Sequence, residues 1–192
     1  MRQRNFIQYL LNPRNWWLPL LIIFAISATG VFMMGLHTYT EAPPVPGYVT
    51  TDGKTIISQE DIQKGQAVFQ KYALMEYGSM FGDGAYRGPD YTAEALHYTA
   101  VFMNEFYTVQ LPKNIDADEE ITSLGISGKV KKEIKTNTYD QATNTVILTD
   151  GQADAARKLV DYYTQVFTNP NHEQAFLPTG YITDAEEIRT LS

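Results

Sequence analysis

Residues Trp16 to Leu36 read WWLPLLIIFAISATGVFMMGL, 21 consecutive positions without a charge. At about 1.5 Å rise per residue, a helix of that length matches the ~30 Å hydrocarbon thickness of a bilayer. Trp16 and Trp17 suit a membrane interface, where indole rings prefer to sit. Pro19 lies near the helix start, where a missing N–H matters least. Arg2, Arg4 and Arg14 precede the run, and the first basic residue after it is Lys54. The positive-inside rule then predicts a cytoplasmic N-terminus and an extracytoplasmic remainder. A cleaved signal peptide would have a shorter apolar core ending at a small-residue site. Here the run is longer, and Val-Phe-Met-Met follows the small residues of Ala25 to Gly30, so an anchor is expected.

The net charge of −7 is unevenly spread. Three of the 15 basic residues lie in 1–15, leaving 12 against all 22 acids, a balance of −10 for the rest. Such a domain repels phosphate backbones, which argues against a nucleic-acid partner. The chain has no cysteine. That excludes disulfides, thiolate zinc sites, iron–sulfur clusters and haem attached through C-x-x-C-H. Hydrophobic residues make up 44%, with 13 Tyr and 9 Phe, enough for one core rich in aromatics.

After the anchor, EAPPVPG (41–47) reads as a stiff extended connector. Tyr48 to Ile57 predicts a small hairpin turning at Asp52-Gly53. Ser58 opens a helix, with Asp61 as an acidic variant of the capping box. That helix carries Ile62, Ala67, Val68 and Phe69 to about Lys71. Tyr77 to Asp90 holds four glycines and a proline in 14 residues and cannot be a regular element. Tyr91 to Tyr107 predicts a strong helix. Asp116 to Lys135 predicts one or two short helices broken at Gly125 and Gly128. Thr138 to Thr149 predicts a second hairpin, and Gln152 to Phe167 an amphipathic helix. Thr183 is expected to cap a last helix, with Glu186 three residues on. The expected division is a basic tail (1–15), an anchor (16–36), a connector with hairpin (37–57) and a mainly α-helical extracytoplasmic domain (58–192).

No nucleophile elbow, phosphate loop, dinucleotide fingerprint or EF-hand is present. His37, His97 and His172 lack nearby partners at a metal-ligand spacing. His37 is expected to be an interfacial polar residue, His97 structural and His172 solvated. Glu119-Glu120 and Glu186-Glu187 read as solvated helix faces. The glycine-rich loop gathers oxygens from Asp83, Asp90, Tyr86 and the carbonyls of Gly82 and Gly84. Hard cations such as Ca²⁺ take such oxygens, although loops of this composition are commonly plain turns.

Several segments carry a resemblance. These are GQAVFQKY (65–72), MEYGS (75–79), FGDGAY (81–86) and GPDYTAEAL (88–96), with GYITD (180–184) and Glu187-Ile188 near the end. In this order, behind an anchor, a Pro-Pro connector and a hairpin, they resemble the N-terminal region of quinol-dependent nitric oxide reductases. The resemblance implies a cytochrome-c-like helical domain that has lost its haem. In related cytochrome-c-dependent enzymes a C-x-x-C-H site lies just before the G-x-G-A-Y segment; here Tyr72 to Ser79 contain neither Cys nor His. Quinol is then the implied electron donor. Gly84 and Tyr86 match positions that help bind a calcium ion bridging haem propionates, with the site completed by the catalytic subunit. No catalytic residue and no cofactor held by this chain alone is implied. Haem b, haem b3 and non-haem iron would belong to a multi-spanning haem-containing catalytic partner that reduces NO to N2O in the cytoplasmic membrane. The chain is thus expected to be a non-catalytic small subunit of a split enzyme, or a fragment of a longer one. The alternatives are an anchored binding or scaffold module, or a subunit of a nitric oxide dismutase-like complex.

Overall fold

A computed structural model describes residues 9, 12–84, 88–111, 119–169, 171–172, 177–178 and 180–192. The chain divides into two compact units, Met1–Pro44 and Val45–Ser192. In the first, a 3-10 turn at Pro13–Asn15 leads into helix α1, Trp17–Thr40. Asn12 begins the turn by accepting from the Arg14 N–H (3.1 Å). α1 is apolar on all sides, with mean hydropathy 2.1 over its best window, and none of that window is buried in the protein. Among the described residues it is the one helix long and apolar enough to cross a membrane, which fits single-pass anchoring. It continues past the apolar run because Thr38 and Thr40 donate their hydroxyls back to the Met34 and Leu36 carbonyls (2.9 and 3.0 Å).

The second unit contains β1 (Gly47–Thr50), β2 (Thr55–Ile57), α2 (Gln59–Lys71), β3 (Ser79–Met80), β4 (Asp83–Gly84), α3 (Tyr91–Val109), α4 (Glu119–Lys135), β5 (Tyr139–Asp140), β6 (Thr145–Leu148), α5 (Asp150–Thr168) and α6 (Ala185–Leu191). The mainly helical class with small hairpins is as the sequence predicts. β1 and β2 form the first hairpin, closed by Thr50, whose N–H donates to the Lys54 carbonyl (2.9 Å). β5 and β6 form the second. What local reading does not show is that β1 and β6 pair in parallel, Gly47 to Thr50 beside Thr145 to Leu148. The two hairpins become one sheet of order β2-β1-β6-β5. Asn144, at φ +51°, seals the junction: its carbonyl accepts from Gly47 N–H (3.0 Å) and its amide donates to Val45 O (3.1 Å).

Caps set the helix starts. Ser58 and Asp61 exchange hydrogen bonds at α2 (2.9 and 3.1 Å), the expected capping box. Thr149 and Gln152 do the same for α5, so that helix starts two residues before the predicted Gln152. At α6 the cap is Asp184, whose carboxylate accepts from Glu186 N–H (2.9 Å), one residue after the expected Thr183. α4 is a single 17-residue helix that runs through Gly125 and Gly128, correcting the expected break. Each interior glycine costs about 1 kcal/mol relative to alanine. Burial of Ile126 and Val130 against Met103 of α3 and Ala155 of α5 outweighs that cost. The same interface holds Glu133, which accepts from the Tyr107 hydroxyl (2.8 Å) and the Thr149 hydroxyl (2.7 Å).

A second cluster, Leu74, Ile182 and Ile188, gathers Phe69, Tyr72, Tyr77, Phe167 and Tyr181 around it. α6 is tied to the end of α2 by Glu187, which accepts from the Lys71 ammonium (2.5 Å) and the Tyr72 hydroxyl (2.6 Å). These two donors, Lys71 foremost, hold the Glu187 carboxyl below its ordinary value. A depressed carboxylate stabilises the fold above its ordinary titration range and loses that contribution as pH falls through the folded-state value. Thermal scans from about pH 5 down to about pH 3 should therefore show a falling Tm, and Glu187→Gln should flatten that acid limb. An unchanged limb in the variant would mean that the clasp contributes nothing.

Candidate functional site

The glycine-rich loop is built on three supports. At the end of α2 the chain reverses through Ala73, at φ +48°, into a 3-10 turn at Leu74–Glu76. Leu74 is fully buried and fixes that turn to the second cluster. Next, Gly78 lies against the Tyr91 ring: an added Cβ would sit 2.5 Å from Cε2 and 2.8 Å from the Pro89 carbonyl oxygen. Tyr91 is itself buried, edge-on to Phe69 at 5.8 Å. The third support is Asp90, the cap of α3. Its carboxylate accepts from Ala93 N–H (3.0 Å), Gly82 N–H (2.6 Å) and the Ser79 hydroxyl (3.0 Å). These donors, Ala93 first, hold the Asp90 carboxyl below its ordinary value.

Between the supports, β3 and β4 form a minimal hairpin, pairing Ser79 with Gly84 and Met80 with Asp83. Its two turn residues, Phe81 and Gly82, have φ +54° and +82°. Positive φ at both central positions is the type I′ pattern, which suits the twist of a hairpin. The Phe81 N–H donates to the Thr92 hydroxyl (3.2 Å). Gly84, at φ +139°, packs so closely that a Cβ would collide with the Gly78 carbonyl. Gly88 crosses the Tyr77 carbonyl with similar closeness. Glycine here serves close approach of backbone to backbone.

Of the residues singled out from sequence, Gly82, Asp83 and Gly84 are exposed along one edge of this hairpin. Tyr86, the other expected calcium residue, lies outside the described residues. Asp90 differs from its expected part as an oxygen donor to an ion, because its carboxylate is already engaged in holding the loop together. Among the described residues no group of three or more His, Cys, Asp or Glu is placed to hold a metal. An ion at this edge would draw on Asp83 and main-chain oxygens, hard donors that suit calcium but supply only part of its 6–8 ligands.

The histidines are dispersed. His37 is on α1, in the other unit. His97 is exposed beside Tyr98 (5.3 Å between rings), and His172 lies edge-on to Tyr162 (5.5 Å). Glu120 and Glu186 are exposed, as expected, whereas Glu187 is the α6 clasp. The interior beneath the loop is filled by Leu74, Ile182 and Ile188. With no cysteine and no histidine facing that cluster, these residues do not fit a haem.

Two features escape sequence reading. One is Phe81, an exposed aromatic in a left-handed backbone conformation. The other is Glu94 of α3, which accepts from the Tyr162 (3.0 Å) and Tyr163 (3.3 Å) hydroxyls of α5. Burial, reinforced by the Glu94 carboxylate, pushes both phenols well above their ordinary range. A tyrosine pair one position apart gives no sequence signal for a shared acceptor.

Residues 46–192 match the family described as the cytochrome c-like domain of NorB, a nitric oxide reductase polypeptide. No curated protein matches the chain.

Proposed function

Because the chain belongs to the family of NorB cytochrome c-like domains, we propose that it is the haem-less outer domain of a quinol-dependent nitric oxide reductase. Its task is structural. It covers the outer face of the haem-bearing membrane part, lends oxygens around Gly84 and Tyr86 to a shared calcium ion, and helps to frame the quinol site. The reduction of NO to N2O takes place on haem and non-haem iron held by that membrane part. Arg2, Arg4 and Arg14 before the anchor favour a cytoplasmic N-terminus with the domain outside.

The observation that carries this reading is the hairpin of residues 79–84: a rigidly braced edge with Gly82, Asp83 and Gly84 at the surface, on a domain without a haem site of its own. Haem propionates are anionic, and this part of the chain is acidic. Bringing the two together is unfavourable unless a divalent cation lies between them. Calcium bound at that junction neutralises both sides and cross-links them. The domain's own residues would then fix the ion's position and exclude water from the covered surface.

The test is expression of the full tagged chain with its neighbouring genes, followed by purification in mild detergent. The expected result is a haem-containing membrane protein bound to the chain, with about one calcium per complex that a chelator removes. A purified chain with neither haem nor calcium sinks the proposal.

A further inference from the structure

Phe81 combines two properties that its own domain does not account for. Its side chain is 83% exposed, and its backbone is in the left-handed region at φ +54°. The first central position of a type I′ turn favours Asn, Asp or Gly, because a larger side chain crowds the backbone there. The turn is nevertheless braced, by Thr92 at the Phe81 N–H and by Asp90 at the Gly82 N–H. Met75 and Met80, each 37% exposed, add apolar surface to the same loop. A strained, rigidly held and outward-facing aromatic residue points to a contact outside the domain.

We infer that Phe81 is an anchor that inserts into an apolar pocket on the haem-bearing membrane part of the reductase. This rests on the proposed function, and it names the residue that provides the grip. Charge separates this occupant from a lipid surface. Residues 76–90 contain Glu76, Asp83 and Asp90 against one Arg87, and no Lys or Trp. A lipid-docking loop would present cations to anionic headgroups and indoles to the interface. Phe81 is also the tip of the hairpin that ends at Gly84, so the anchor is continuous with the edge proposed to share calcium.

Phe81→Asn creates Asn-Gly, the dipeptide that this turn prefers. In the full chain in detergent, the variant should raise Tm by roughly 2–4 °C, since it relieves the backbone and removes no internal contact. Coexpressed with the neighbouring genes, it should retain about tenfold less haem per tagged chain after dilution washes. An unchanged or lower Tm overturns the inference, because Phe81 then does not strain its own domain. Equal haem on wild type and variant also overturns it and leaves the proposed function standing. A wild-type chain that carries no haem protein refutes the proposed function, and the anchor with it.

Discussion

Gly78→Ala is expected to destabilise the domain by about 2–3 kcal/mol, an overpacking cost with no easy relief. The new methyl would lie 2.5–2.6 Å from Cε2 and Cζ of Tyr91 and 2.8 Å from the Pro89 oxygen. Neither neighbour can give way cheaply. The Tyr91 ring is buried against Phe69, and the Pro89 carbonyl already accepts from Ser79 N–H (2.9 Å). The loop must therefore open, drawing Ser79 and Asp90 apart. Thermal or denaturant unfolding of the full chain measures the loss. Gly82→Ala is the internal comparison: its φ is +82° but its Cβ would meet nothing within 4 Å. It should cost only the conformational penalty of about 1 kcal/mol. Equal costs for the two variants would show that crowding at Gly78 is not what shapes the loop.

The second large effect is at Leu74. It is fully buried and packs with Ile182 and Ile188, so Leu74→Ala removes a side chain that joins the α2 end, the loop and α6. Core truncations of this kind cost about 2–5 kcal/mol, depending on how far the surroundings collapse into the space. For a domain of this size each kcal/mol shifts Tm by about 2–4 °C. Leu74→Met, close in volume, should recover most of the loss. Failure of methionine to do so, with alanine no worse, would place the weight of the cluster elsewhere.

What can be read from sequence follows the range of the forces involved. The Ser58–Asp61 box and the Asp52-Gly53 turn are decided within a few residues, and both elements are legible. The expected α4 break fails because a glycine's local cost is visible in sequence, whereas burial of Ile126 and Val130 against α3 and α5 is not. Asp184 and Thr183 are adjacent and chemically able to cap; which of them does so depends on how Tyr181 and Ile182 are drawn into the core. At the candidate site, Gly84 stands out only through resemblance to a family. The close approaches at Gly78 and Gly88 involve residues separated along the chain. Nothing about phenylalanine signals a left-handed backbone, so sequence gives no warning of Phe81.

The parallel pairing of β1 with β6 has a consequence in time. Synthesis runs from the N-terminus at about 5–20 residues per second. Roughly a hundred residues separate Gly47 from Thr145, so the first hairpin waits on the order of 5–20 s before its neighbour exists. Throughout that delay one side of β1 offers bare amides and carbonyls to any stray strand. Final closure of the sheet is therefore among the last events in the domain's assembly, and long-range pairing of this kind is slow in refolding as well.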